Sequence, residues 1–162
     1  EREAVAPRAL LDAVMPLVSL QARKLLVTVV TDVDPNAAPV LCDRTMVEQV
    51  LLNLARNGMQ AMQSLDQSAA RVLTLRVRPA ASKATNAWVE FAVIDQGAGI
   101  PPEVASQLFT PFFTTKDEGM GLGLSLCRTV IEQHGGFLGF EAAAPQGTMF
   151  SFTLPVASNH RP

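Results

Sequence analysis

The sequence predicts an α+β fold, a two-layer sandwich with helices on one face of a mixed sheet, and three observations carry that expectation. Segments of helical and of alternating apolar spacing are interspersed along the 162 residues. At two places a pair of strand-like segments adjoins in sequence around a loop rich in turn residues. No repeat or linker divides the chain, so its elements share one core. With 48% hydrophobic and 17% charged residues, the chain carries enough apolar surface to build it.

The elements follow in order. Pro7 to about Leu25 sets Leu10, Leu11, Val14, Leu17 and Val18 at helical spacing. Pro7 suits a first turn, whereas Pro16 removes one backbone bond and is expected to kink the helix. Leu25 to Val33 is rich in Val and Thr and reads as a strand ending in the turn Asp34-Pro35-Asn36. A second helix starts with Asp43 as N-cap and runs to about Leu65. Its inner stripe is Met46, Val47, Val50, Leu51, Leu54, Gly58, Ala61, Met62 and Leu65. Val72 to Val77 and Trp88 to Ile94 alternate as strands around a loop at 79–86. Gly97 to Gly121 opens with closely spaced glycines and prolines and then carries three phenylalanines. Leu122 to Gln133 is helical and stops at Gly135-Gly136. Phe137 to Ala142 and Thr148 to Leu154 are the closing strands, around Ala144-Pro145-Gln146-Gly147.

Composition narrows the function classes. Thirteen Lys+Arg against fifteen Asp+Glu give a formal charge of -2, with no basic surplus for a nucleic-acid backbone. The longest uncharged stretch, Ala142 to His160, is interrupted by Pro145, Gly147 and Pro155, so it is no spanning helix. Cys42 and Cys127 stand far apart in apolar contexts and read as free buried thiols of a reducing compartment. The start at Glu1, without Met or a signal-like segment, is expected of a piece of a longer protein.

Four constellations carry chemistry. Asn53 and Asn57, four apart, lie on one helix face along the rim of the apolar stripe. Two stacked solvent-facing asparagines are the ordinary alternative. Asp95-Gln96-Gly97-Ala98-Gly99-Ile100 puts a carboxylate at a strand end before two permissive glycines, where backbone can approach a ligand, or simply turn. Gly119-Met120-Gly121-Leu122-Gly123-Leu124-Ser125 opens a helix with unpaired N–H groups that suit phosphate oxygens, or is simply a flexible glycine-rich loop. Its spacing matches neither the dinucleotide fingerprint nor a P-loop. Phe109-Thr110-Pro111-Phe112-Phe113-Thr114-Thr115-Lys116 lies between the glycine clusters and reads as a docking lid whose one lysine, Lys116, is a cation over a phosphate site or an ordinary surface lysine.

In this order the four motifs, with Gly147-Thr148 in the last hairpin, resemble the catalytic ATP-binding domain of sensor histidine kinases. That family lies within the gyrase/Hsp90/histidine kinase/MutL (GHKL) superfamily, and the resemblance spans essentially the whole chain. The run from Pro111 to Ser125 is similar to the subgroup with rhizobial oxygen sensors and dicarboxylate sensors. The resemblance implies the Bergerat fold: a mixed, mostly antiparallel sheet covered on one face by three helices, with a mobile ATP lid at about 101–119. It implies a single domain over 1–162, with the dimerisation and phosphoacceptor domain expected upstream. It implies ATP and Mg²⁺ as cofactors.

Residue by residue, Asn57 would coordinate Mg²⁺, with Asn53 on the same face as a catalytic residue beside Lys116, which closes on the γ-phosphate. Asp95 would accept from the adenine amino group, Gly97 and Gly99 would pass the base and ribose, and Thr148 would share a water with Asp95. Gly119, Gly121 and Gly123 would present amides to the phosphates, with Leu122 and Leu124 in the same stretch. Met120 stands where Thr or Ser is more usual, and Gly58 where Ala is normal.

Hydrolysing relatives place a Glu at the position of Asn53, and Asn cannot accept a proton at neutral pH. The resemblance therefore implies transfer to a histidine outside this chain, since His134 and His160 read as capping or surface residues. The implied partners are that upstream domain and a cognate response regulator, in the cytoplasm, with no nucleic acid or membrane contact. A serine/threonine kinase of the same superfamily and a nucleotide-binding module without catalysis are the alternatives.

Overall fold

A computed structural model describes residues 1–66, 69–80, 87–110 and 120–157, without the side chains of 120–122. The elements in order are β1 (Glu3–Val5), α1 (Pro7–Leu25), β2 (Thr28–Val33), β3 (Val40–Cys42), α2 (Arg44–Ala61), β4 (Val72–Pro79) and β5 (Trp88–Ile94). They continue with α3 (Pro102–Ala105), α4 (Met120–Gln133), β6 (Leu138–Ala142) and β7 (Thr148–Pro155).

Alternation dictates the main sheet. Leu73, Leu75 and Val77 of β4, Val89, Phe91 and Val93 of β5, and Phe150, Phe152 and Leu154 of β7 all point to one side and are buried. The intervening positions carry Arg76, Arg78 and Glu90 on the opposite face, where Glu90 pairs with both arginines at 3.4 and 3.1 Å. The strand order is β2-β4-β5-β7-β6. β2 runs parallel to β4, and every other pairing in this sheet is antiparallel. The apolar face of the sheet meets the inner stripes of α1 (Leu10, Leu11, Val14, Val18), α2 (Val47, Val50, Leu51, Leu54) and α4 (Cys127, Ile131) in one core. At its centre Phe91 and Phe152 stack with centroids 5.1 Å apart.

The expected α+β sandwich is thus the observed one, with differences at its margins. The small β1–β3 sheet is new, because three-residue strands show no usable alternation. Asp43 does cap α2, its carboxylate accepting from the Met46 amide at 3.1 Å. The helix stops at Ala61 rather than Leu65, and Met62 donates back to the carbonyls of Met59 and Gln60. Met62 and Leu65 pack against the core from the turns beyond, which is why the apolar spacing outlasts the helix. Met46, in the first turn, is 44% exposed and leaves the inner stripe. Pro16 sits within an uninterrupted α1. The last helix begins at Met120, two residues earlier than its periodicity suggests.

His134 ties two helices together. It is buried, its Nδ1 meets the Val130 carbonyl at 2.8 Å, and its Nε2 accepts from the Asp43 amide at 2.9 Å. The Nδ1–H tautomer satisfies both contacts. The side chain therefore joins the end of α4 to the N-cap of α2, whereas His160 lies outside the described residues.

Candidate functional site

Asp95 follows the last residue of β5 and is 3% exposed. Its Oδ1 accepts from the Gly97 amide at 2.8 Å and the Thr148 amide at 3.2 Å. Its own amide donates to the Thr148 carbonyl at 3.0 Å, so Asp95 and Thr148 lock the end of β5 to the start of β7. Burial pushes the carboxyl above the ordinary aspartate range, and the two amides offset this in part. With both amides on Oδ1, Oδ2 is the oxygen left to offer a ligand.

Two glycines make this packing possible. A Cβ on Gly97 would lie 2.6 Å from the Ala61 carbonyl oxygen, so the loop after β5 can press on the end of α2 only without a side chain. Gly147 has φ +109°, and a Cβ there would lie 2.0 Å from the carbonyl oxygen of Asp95. Replacement by Ala is expected to cost about 3 kcal/mol or more, since strain and overlap with backbone add. Urea unfolding would measure this, and a loss below about 1 kcal/mol would contradict the packing described.

The first three constellations meet in space. Gly58, beside Asn57, is buried against Asp95, whose Cβ and Oδ2 lie 3.4 and 3.7 Å from where a Gly58 Cβ would stand. Asn57 is half-buried on α2. Asn53, one turn earlier, has its Oδ1 3.8 Å from the Cβ position of Gly123 on α4. Gly121 and Leu122 lie in the first turn of α4, and Leu124 is buried. Gly99, with φ +91°, and Thr148 border a cleft of about 360 Å³ with Ile100, Phe140 and Gln146.

The fourth constellation is described only at its root. Phe109 packs 6.0 Å from Phe140 of β6, with the Arg128 guanidinium 4.5 Å above its ring. The short helix α3 lies within the stretch expected to be lid. Phe112, Phe113, Lys116 and Gly119 lie outside the described residues.

Sequence reasoning named Gly147 and missed two participants, the contacts of Arg56 and Cys127 with Asn53. Gly147 gave a signal, a Gly-Thr pair at a turn, without indicating the backbone it must clear. Arg56 donates to Asn53 Oδ1 at 2.9 Å, and Cys127 Sγ accepts from Asn53 Nδ2 at 3.6 Å. Both cysteines are free and buried as expected, and burial pushes the Cys127 thiol up to about 11.

Among the described residues there is no cluster of three or more His, Cys, Asp or Glu side chains fit for a metal, and no helix long and apolar enough to cross a membrane. A hard cation held by one amide oxygen, Asn57, fits this donor set only if a ligand's oxygens and waters complete the shell.

Residues 42–158 match the model of histidine kinase-, DNA gyrase B-, and HSP90-like ATPases. The chain is 46% identical over 127 residues to the sensor protein FixL of Bradyrhizobium diazoefficiens, covering 78% of this chain and 24% of FixL. It is 40% identical to the C4-dicarboxylate transport sensor protein DctS of Rhodobacter capsulatus, over 87% of this chain and 20% of that protein. The chain therefore spans about a quarter or less of these curated relatives. Among solved structures, the nucleotide-free catalytic domain of histidine kinase ThkA superposes with TM-score 0.79 at 30% identity, covering 96% of this chain and 97% of that one.

Proposed function

The chain belongs to the family of histidine kinase-, DNA gyrase B-, and HSP90-like ATPases, as a histidine kinase catalytic domain, and we propose that it holds Mg-ATP and donates the γ-phosphoryl group to a histidine on another domain of a two-component sensor. The observation that carries this reading is the Asp95 carboxylate, buried at a strand end with Oδ1 committed to two amides. Its remaining oxygen accepts the adenine amino group and rejects a guanine oxygen, which cannot donate.

The rest of the site follows the order of the motifs. Gly97, Gly99 and Thr148 pass the base and sugar. The amides of Gly119, Gly121 and Gly123 at the α4 N-terminus take phosphate oxygens, with Leu122 and Leu124 in the same turns and Lys116 from the lid at 101–119. Asn57 holds Mg²⁺, which when bound neutralises charge on the triphosphate. Catalysis is then positioning and electrostatic stabilisation. Asn53, where hydrolysing relatives carry Glu, leaves water without a base and favours transfer.

The phosphoacceptor lies outside the chain, a reading supported by the short span of FixL and DctS that the chain covers. His134 has both ring nitrogens engaged inside the core, which suits a structural role. The further partner is a response regulator. A ThkA structure in complex with the response regulator TrrA, superposing with TM-score 0.70 at 29% identity, supports that assignment. The domain works in the cytoplasm.

Titration calorimetry of the domain with ATP and Mg²⁺ is the test. Binding in the micromolar range or weaker is expected, because the site faces solvent. Absence of Mg-dependent ATP binding would overturn the reading. Incubation of the domain alone with γ-³²P-ATP should leave it unlabelled, and acid-labile label on His134 or His160 would refute the external acceptor.

A further inference from the structure

Two leucines of α1 face water where the helical spacing would allow them to face the core. Leu17 and Leu20 are 57% and 50% exposed, three apart on one helix face, and Lys24 follows one turn along that face. They form one wall of a groove of about 270 Å³ between α1 and α2, with buried Val18 and Met59 beneath. Half-buried Leu52 and exposed Arg56 of α2 line the other side. Arg56 bonds a neutral group there, donating to Asn53 Oδ1 at 2.9 Å. None of the described residues lining the groove is acidic, so Lys24 and Arg56 give it one sign of charge. Single leucines on a surface are ordinary, whereas leucines that share a cleft with a buried apolar floor and a cationic margin form a surface that another chain can cover.

The groove has a definite place relative to the site. Asn53 lines it too, and Asn53 Oδ1 lies 3.8 Å from the Cβ position of Gly123, in the first turn of α4. One side chain thus separates the groove from the helix end assigned to phosphate.

We propose that the α1–α2 groove seats the domain that carries the acceptor histidine. An amphipathic helix of that domain sets apolar side chains against Leu17, Leu20 and Leu52 and carboxylates against Lys24 and Arg56. This rests on the reading of the α4 N-terminus as the phosphate end and of the acceptor as lying outside this chain. A histidine that takes the γ-phosphoryl group must be carried to it, so the body bearing it rests on surface that adjoins the phosphate end. The groove adjoins that end, and its leucines match apolar anchors three or four residues apart on a helix. Charge selects among helices: an acidic one is attracted by Lys24 and Arg56, and a basic one is repelled. Docking here raises the effective concentration of the acceptor without a contact to ATP.

The test uses the kinase chain that carries both this domain and its acceptor, comparing self-phosphorylation at saturating ATP with the KM for ATP. Leu17→Glu with Leu20→Glu places carboxylates at two exposed positions, so the fold should stand while an apolar partner is refused. The transfer rate is expected to fall about tenfold or more with KM within about twofold of the parent. Lys24→Glu should slow transfer about threefold or more, again at constant KM. Val30→Glu, an equally drastic change at a position 42% exposed on β2, should leave transfer within about twofold. Parental transfer in both groove variants would overturn the proposal. So would a loss of Mg-ATP affinity that accounts for the slower transfer, since the damage would then lie in the ATP site. Normal self-phosphorylation with slowed passage to the response regulator would give the groove to the regulator instead, and normal transfer with altered oligomer size would give it to a second copy. Absence of Mg-dependent ATP binding in the parent would overturn the functional reading on which the proposal rests.

Discussion

Asp95→Asn is expected to abolish selective ATP binding while leaving the fold intact or more stable. In the parent, Oδ1 accepts from the Gly97 and Thr148 amides. An asparagine must keep its oxygen there, because its NH₂ cannot face two further donors. The NH₂ then replaces the free carboxylate oxygen and points a donor at the adenine amino group. Loss of a hydrogen bond combined with an unpaired donor should weaken ATP by a factor of roughly 10² or more. Calorimetry that found parental affinity in this variant would remove Asp95 from the base site. Stability should move in the opposite sense. Burial raises the Asp95 carboxyl above its unfolded value, so ionising it costs folding free energy. The cost is absent in acid, where the group is protonated in both states, and develops as pH rises through the folded value. Urea unfolding should therefore find parent and variant converging at low pH and the variant ahead at neutral pH.

Asn57→Ala should remove the dependence of ATP binding on Mg²⁺. Asn57 projects half-buried from α2 beside Gly58, which packs on Asp95, so it stands at the junction of the proposed base and phosphate regions. Alanine is a better helix former than asparagine, so the helix should not suffer. The expected pattern is specific: affinity in Mg²⁺ falls about tenfold or more, to the level both proteins show in excess chelator. An equal loss with and without Mg²⁺ would mean that Asn57 contacts the nucleotide directly. An undiminished Mg²⁺ effect would assign the ion to another ligand.

Much of this architecture was legible because periodicity reports burial. Apart from Leu17 and Met46, which are exposed, the stripes of α1 and α2 and the alternation of β4, β5 and β7 appear in the sequence as they appear in the core. Misreadings arose where burial and secondary structure part company. Met62 and Leu65 are packed against the core yet belong to turns, and three-residue β1 and β3 carry too little pattern to notice. The site shows the same division. Asn57, Asp95 and the glycines stood out by type and spacing along the chain. The Asn53–Cys127 contact and the overlap forbidden at Gly147 depend on distances between segments far apart in sequence, and no local pattern encodes them.

The seam between β5 and β7 also bears on how the molecule assembles. β4 with β5, and β6 with β7, are hairpins that close short loops, and such local pairings form readily. Joining the hairpins closes the much longer segment containing the glycine clusters and α4, at a larger entropic cost. Asp95 follows the last strand of one hairpin and Thr148 begins the second strand of the other, so neither hairpin alone contains the Asp95–Thr148 pairing. The Asp95–Thr148 pairing is therefore completed only when the two halves of the sheet join, and a ligand held by it would stabilise them together.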